Sequence, residues 1–307
     1  MFFIQGRKGN NHWGLYLLTV FLVLFAYSIG QVPMMMVVMR YLEANDSNLS
    51  IGDFFADPDF TAIGMSSNVG LFMLLLMFVA AFFAFWVAVK YLHKKKFTSL
   101  ISADNRIDLK RLWFGFIVWL MLMAAGELVL YFLNPEVYIF TFKAETVIGL
   151  IAISVFILPI QTSFEELFFR GYLLQGFYNL IANKWIVVIL TSLLFMLVHG
   201  TNPEIEQFGF GIMMSYYFLA GLLLGVVTML DDRLELALGM HAAMNMYGAI
   251  FVGYEGGVIQ TDSIWKMTEM NALAMVILLI VAGIVFILLA KRNFGWSFPV
   301  KDDIHLA

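Results

Sequence analysis

The stretch TVIGLIAISVFILPIQTSFEELFFR, residues 146–170, determines how the rest of the chain is interpreted. Residues 146–164 carry no ionisable side chain, and a run of this length is typical of a transmembrane helix. Glu165, Glu166 and Arg170 follow directly. An ionised side chain at the centre of a membrane helix costs roughly 2.5–3.5 kcal/mol on insertion scales. Three such groups beside an apolar run therefore indicate a functional site within a membrane.

The composition of the whole chain indicates a membrane protein. Of the 307 residues, 62% are hydrophobic and 13% are charged, and the mean hydropathy is +0.86. Soluble domains carry about 25% charged residues. The net charge of −4 gives no indication of nucleic-acid binding. The absence of cysteine excludes disulfides, thiolate metal sites and a cysteine nucleophile.

Apolar runs along the chain predict an all-α, polytopic bundle of about eight transmembrane helices. The runs lie at 14–39, 61–89, 112–133, 146–164, 185–200, 207–230, 236–254 and 271–290. With the N-terminus inside, fourteen Lys and Arg residues fall on the inner face and three on the outer face. The positive-inside rule therefore predicts that both termini are cytoplasmic. No internal repeat or soluble domain is evident, so residues 1–307 are predicted to form one membrane domain. The outer loop 41–60 is acidic and is expected to be solvated.

Glu166 and Arg170 have the spacing of an ion pair on one helix face. Residues four apart on a helix are neighbours, so their side chains are expected to pair. Glu165 is rotated by one residue and has no such local partner. A buried ion pair that only fixes helix packing is the structural alternative. Glu127 lies within the third run. It either lines a cavity or forms an ion pair with Arg170, or it reaches the outer interface.

Three polar residues in other apolar runs complete the candidate site. His199 ends the fifth run, and His241 and Asn245 share one face of the seventh through their i,i+4 spacing. A single histidine on an apolar helix is commonly a packing residue. Ionisable groups in several spans of one bundle more often face its interior or a water-filled cavity.

These residue types permit peptide-bond hydrolysis. A carboxylate and an imidazole can share a water as general base, which assigns Glu165 and His199 to water activation. A second imidazole and an amide can donate to an oxyanion, which assigns His241 and Asn245. The alternative is a divalent metal such as zinc, bound by Glu165, His199 and His241. Residue types alone do not decide between them. The chain has no His-Glu-x-x-His motif of a zincin-type protease.

Three motifs in order resemble those of the CPBP family of intramembrane proteases. They are Glu165-Glu166-x-x-x-Arg170, Phe195-x-x-x-His199 and His241-x-x-x-Asn245. The family contains the type II CAAX prenyl proteases and the bacterial Abi, or bacteriocin-processing, proteins. The resemblance covers a core at 146–254, with additional N-terminal transmembrane helices in 1–135.

The resemblance implies a glutamic-type intramembrane endopeptidase that works without a cofactor. The residues matching Glu165 and His199 would activate water, and those matching His241 and Asn245 would stabilise the oxyanion. Glu166 and Arg170 would be supporting residues. Older descriptions of the family as metalloproteases keep the zinc alternative open. The expected partners are the lipid bilayer and a peptide or protein substrate in or near it, and the expected location is a bacterial cell membrane.

Two functions from other classes remain as alternatives. One is a non-catalytic membrane partner, or a bacteriocin-immunity protein, that keeps the fold. The other is an ion-coupled transporter that uses Glu127, Glu165 and Glu166. The chain lacks the repeats and matched broken helices that are common in transporters.

Simple helix geometry gives an inconsistent depth for the site. Depths from the inner membrane face follow from a rise of about 1.5 Å per residue. Glu165 is expected near that face, His241 about 9 Å from it, and His199 about 20 Å from it if its span starts at Lys184. A kink at Pro159 would let Glu165 sit deeper, with residues 171–183 projecting into the cytoplasm or lying along the interface. We therefore expect a conical cavity that opens to the inner side.

Overall fold

The computed structural model of the protein describes residues 1–44, 50–56 and 59–296, and it is a bundle of helices. The α-helices are α1 (Trp13–Ala44), α2 (Ile51–Ala56), α3 (Ser67–Val87), α4 (Leu109–Leu133), α5 (Ala144–Phe156), α6 (Leu158–Glu166), α7 (Leu174–Ile181), α8 (Lys184–Val198), α9 (Pro203–Phe208), α10 (Phe210–Asp231), α11 (Glu235–Ile250) and α12 (Ala272–Phe294). Short 3-10 helices span Phe3–Arg7, Thr61–Ile63, Phe97–Leu100 and Pro135–Val137, and π-helices span Ala88–Leu92 and Leu167–Leu173.

The chain is an integral, multi-pass membrane protein. Within the described residues, six helical segments are long and apolar enough to cross a membrane. They are Trp13–Ala44, Ser67–Leu92, Leu109–Leu133, Ala144–Ile181, Phe210–Asp231 and Ala272–Phe294. The all-α prediction is confirmed, and each of the eight predicted apolar runs contains a helix, although run 236–254 ends in a short β-strand. Helices α8 and α11 have only 15 and 16 residues, so eight membrane crossings remain a prediction.

The fourth apolar segment is longer than the sequence indicated. It is helical over 38 residues, Ala144–Ile181. Its α-helical geometry breaks at Ile157, directly before α6, because Pro159 in the first turn of α6 has no backbone N–H to donate. The segment then continues through the π-helical turns Leu167–Leu173 into α7, where Leu174 and Gln175 are fully buried. Residues 171–178 therefore stay inside the bundle, whereas Leu180 and Ile181 at the end of α7 are exposed.

This continuation changes the basis of the depth estimate. The helix does not end at Phe164, so the estimate that placed Glu165 near the inner boundary started from the wrong helix end, and the depth of Glu165 in the membrane stays a prediction. Glu165 lies about 24 Å from Ile181 and His199 about 22 Å from Lys184, at the helical rise of about 1.5 Å per residue. The two side chains thus have similar distances from the adjoining ends of their helices.

Small residues allow the close helix crossings of the bundle. A Cβ atom added to Gly239 of α11 would overlap the carbonyl of Leu112 on α4, and one added to Gly115 would overlap the carbonyl of Leu236. A Cβ atom on Gly30 of α1 would lie 2.6 Å from the Cα of Met77 on α3. Such approaches are common where membrane helices pack without a hydrophobic driving force. They hold α4 against α11, which carries His241 and Asn245.

A small sheet that the sequence did not predict lies at one end of the bundle. Its strands are β1 (Tyr138–Phe140), β2 (Val252–Tyr254) and β3 (Trp265–Met267), in the order β1-β3-β2. Strand β3 pairs antiparallel with β1 and parallel with β2. Because β1 follows α4 and β2 follows α11, the sheet ties together the ends of these two helices.

The first residues and the end of α12 meet at the same turn. The backbone N–H of Phe2 donates to Asp232 at 3.0 Å, and Nε1 of Trp296 donates to Asp231 at 2.9 Å. Both ends of the described chain therefore lie at one end of the bundle, and their cytoplasmic placement remains a prediction. Lys301, and Asp46 and Asp57 of the acidic loop, lie outside the described residues.

Candidate active site

The charged centre of the site is a buried group of three side chains. Nη1 of Arg170 donates to Oε1 of Glu166 at 2.8 Å, and both side chains are fully buried. The same carboxylate oxygen lies 2.7 Å from Nδ1 of His241. The i,i+4 pair predicted from the sequence is therefore present, and it also contacts a histidine from α11. A carboxylate at Nδ1 leaves Nε2 as the nitrogen that faces the other groups of the site.

Arg170 also fixes this centre to the neighbouring helices. Its Nη2 donates to the carbonyl of Gly221 on α10 at 3.1 Å, and its guanidinium lies over the ring of Phe195 on α8, 4.2 Å from the centroid. A Cβ atom on Gly221 would lie 3.2 Å from Nη2 of Arg170, so glycine leaves room for the guanidinium. The cation thus contacts a carboxylate, a carbonyl and an aromatic face, and its Nε is buried without a hydrogen-bond partner among the described residues.

Glu165 lies one residue from Glu166 and belongs to a second group of contacts. Its Oε1 accepts from Nε2 of Gln161 at 2.6 Å, and Oε1 of Gln161 accepts from Nδ2 of Asn245 at 3.0 Å. The Oε2 atom of Glu165 is buried without a hydrogen-bond partner among the described residues and lies 3.6 Å from Nε2 of His241. One carboxylate oxygen is therefore held, and the other is available to a water or a substrate.

Gln161 is the site residue that the sequence interpretation missed. It lies four residues before Glu165 on α6, so the helical spacing places both side chains on one face. The signal was a polar residue at i−4 from the candidate carboxylate. Its amide joins Glu165 to Asn245 and sets the orientation of both.

His199 lies at the end of α8 with one ring nitrogen already committed. Its Nδ1 lies 2.7 Å from the carbonyl oxygen of Phe195. Because a carbonyl oxygen only accepts, Nδ1 carries the proton and Nε2 of the neutral ring is an acceptor. The ring stacks on Tyr217 of α10 with centroids 4.5 Å apart, and Glu165 is among its electrostatic neighbours. The side chain is thereby presented as a base.

One cavity of about 950 Å³ brings the predicted residues together. Glu165, His199, His241, Asn245 and Gln161 all line it, and most of its remaining lining is apolar. The lining also includes Val252–Tyr254 and Met267 of the sheet. It is therefore not restricted to the predicted inner side, and an inward opening remains a prediction.

Glu127 also lines this cavity, and the alternative that it pairs with Arg170 is excluded. Its Oε1 accepts from the hydroxyl of Tyr138 at 2.5 Å. The partner of Arg170 is Glu166, and Glu127 is held beside the sheet instead.

The donor arrangement does not fit the metal alternative. In the part of the chain that the structure describes, no group of three or more His, Cys, Asp or Glu side chains is arranged to hold a metal ion. We therefore derive no step through a metal. Elemental analysis and a chelator challenge of the purified protein measure metal dependence directly.

Comparison with known proteins shows a family similarity for the part of the chain that carries the site. Residues 143–247 match the family model described as type II CAAX prenyl endopeptidase Rce1-like. The chain carries an Rce1-like domain. The match spans α5 to α11 and contains all six residues singled out from the sequence, so the resemblance to CPBP proteases is confirmed. This is a protease family, which supports a peptidase.

One relative extends the similarity beyond the Rce1-like domain. An uncharacterized protein of Bacillus subtilis (strain 168), YyaK, is 29% identical over 295 residues, which covers 92% of this chain and 93% of the relative. A bacterial relative is consistent with a bacterial cell membrane. No solved structure matches the chain at a significant level.

Proposed function

We propose that the protein is an intramembrane endopeptidase that hydrolyses peptide bonds of membrane-associated substrates. The observation that carries the proposal is the shared cavity, which is lined by Glu165, His199, His241 and Asn245 from three separate helical segments. The lipid bilayer is the medium of the reaction, and a largely apolar cavity suits a substrate segment drawn from it.

In the proposed mechanism, Glu165 and His199 activate a water. Oε2 of Glu165 and Nε2 of His199 are the free acceptors that take a water proton. The water oxygen then forms a bond to the scissile carbonyl carbon, and the carbonyl becomes an oxyanion. Gln161 holds the other oxygen of Glu165, so the carboxylate keeps its orientation during proton transfer.

The proposed role of His241 and Asn245 is to stabilise that oxyanion. In this role the contact between Nδ1 of His241 and Glu166 orients the ring, and Nε2–H of the ring donates to the oxyanion. Asn245 gives one amide hydrogen to Gln161 and has a second for the oxyanion. When the C–N bond breaks, the leaving amine takes the proton stored on Glu165 or His199. Donors of this kind are each worth about 10²–10³ in rate.

The experiment that tests the proposal compares membrane and secreted peptides of cells that express wild-type protein or Glu165→Gln. Peptides that depend on wild-type protein are the expected result, and they identify the substrate and its cleavage position. Identical peptide sets would contradict the proposal. A phenotype that survives alanine at both His199 and His241 would instead support the non-catalytic partner or immunity protein.

A further inference from the structure

A third buried carboxylate of the cavity has no role in the proposed hydrolysis. Glu204 lies on the short helix α9, five residues after His199, and is only 4% exposed. Its Oε1 accepts from the hydroxyl of Tyr254 at 3.2 Å and from the backbone N–H of Val258 at 2.9 Å. Its Oε2 is buried without a partner among the described residues. These contacts fix the carboxylate through Oε1 and leave Oε2 without a partner in a residue that lines the cavity.

The surroundings of Glu204 suit a cationic ligand. Tyr216, Tyr217 and Tyr254 line the same cavity and are electrostatic neighbours of the carboxylate. No Lys or Arg side chain from the described ranges lines this cavity. A buried carboxylate without a positive partner is costly, and tyrosine rings attract cations through their faces. An ammonium or guanidinium group would satisfy both features.

This acidic pocket lies beside the proposed catalytic base. The ring of Tyr217 stacks on His199, and its hydroxyl accepts from Nδ2 of Asn202 at 3.0 Å. One tyrosine ring therefore separates His199 from the surroundings of Glu204. An extended peptide advances about 3.3–3.6 Å per residue. A side chain within about three residues of the scissile bond reaches across one ring of this size.

We propose that Glu204, with Tyr216, Tyr217 and Tyr254, forms a subsite for a lysine or arginine side chain of the substrate near the scissile bond. The proposal rests on the proposed peptidase function and adds a substrate class to it. A role in folding alone is the competing explanation, because Oε1 ties α9 to the turn at Val258. Glu204→Gln separates the two, since the amide oxygen still accepts from Tyr254 and Val258 while the charge is lost.

The test presents a peptide library to purified protein in dodecyl maltoside, a nonionic detergent without a cationic headgroup. Each apolar peptide carries Lys, Arg, Gln or Glu at varied positions, and mass spectrometry of the products gives the enrichment at each position. Wild type is expected to enrich Lys and Arg at one position by about tenfold over Gln. Glu204→Gln is expected to reduce that enrichment to about twofold or less. Glu206→Gln, two residues away on the exposed side of α9, serves as the matched control and retains it.

A second arm measures binding without cleavage. In a Glu165→Gln background, a fluorescent Lys peptide is expected to bind about tenfold more tightly than its Gln counterpart, and adding Glu204→Gln removes the difference. The binding arm separates the subsite proposal from the peptidase proposal, because a preference for the Lys peptide can be measured even if the wild-type protein cleaves no peptide. Thermal unfolding confirms that each variant folds, and Glu204→Asp, which keeps the charge, is expected to retain a preference for lysine. Equal binding of Lys and Gln peptides, or a preference that survives Glu204→Gln, would overturn the subsite.

Discussion

Replacing Arg170 by methionine tests whether the buried charge cluster stabilises the bundle. The change removes the ion pair to Glu166, the hydrogen bond to Gly221 and the cation–π contact with Phe195. The carboxylate of Glu166 is 0% exposed, so it would stay buried with Nδ1 of His241 as its remaining partner. Removing one partner of a buried pair typically destabilises a protein by about 3–5 kcal/mol.

A second substitution indicates how much of this loss comes from the unpaired charge. Glu166→Gln together with Arg170→Met removes both charges, and the double variant is expected to regain at least about 1 kcal/mol. The double variant should be inactive as a peptidase, because His241 loses the carboxylate that orients it. Recovery of stability without recovery of activity is the expected signature of a centre that supports the site.

The assay is the free energy of unfolding in mixed micelles, followed by circular dichroism during titration with dodecyl sulfate. Lys143→Met provides the control, since Lys143 pairs with Asp262 at 3.1 Å and is 52% exposed, and Asp262 keeps 10% exposure to solvent whereas Glu166 has none. An exposed pair of this kind contributes only about 0–1 kcal/mol. Equal losses for Arg170→Met and Lys143→Met would refute the reasoning.

Further predictions concern three separate features of the molecule. Gln161→Leu should lower kcat by about 10–10³-fold with little change in KM, because Glu165 loses its orienting amide; an unchanged kcat in steady-state kinetics would contradict this. Gly239→Ala should destabilise the protein by about 1–3 kcal/mol, since its methyl group overlaps α4. Gly248→Ala on the same helix has open space and should show no such loss in the same unfolding titration. Burial and a neighbouring lysine lower the pKa of Lys95 to about 8, whereas the unfolded side chain keeps a pKa of about 10.4. The folded protein therefore loses this proton at a lower pH than the unfolded chain does. The melting temperature should rise between pH 8 and 10 because of this group, and Lys95→Met should remove that rise.

The fold was predictable where hydrophobic runs determine it. All eight runs contain a helix, because backbone groups in lipid have to be satisfied within the helix. The predicted end of the fourth helix was wrong, because the first charged residues were taken as the membrane boundary. Arg170 binds Glu166 and a carbonyl inside the bundle, and the helix continues past it to Ile181. The sheet was missed because its strands have only three residues each.

The site was predictable in its members more than in its contacts. The i,i+4 rule gave the pair of Glu166 and Arg170, and three motifs placed the other residues in separate helices. The contact between Glu166 and His241 joins residues 75 apart in the chain, so no local rule gives it. The role of Gln161 was hidden because a single amide in an apolar helix has many explanations.

The most direct test of the central claim is the single-turnover rate of peptide cleavage in proteoliposomes, compared between wild type and Glu165→Gln. The substrate is the peptide identified from cells, and unfolding titrations confirm that both proteins are folded. If Glu165 activates the water, the rate should fall by at least about 10²-fold, the lower range for general-base catalysis. Equal rates for the two proteins would contradict the assigned role of Glu165.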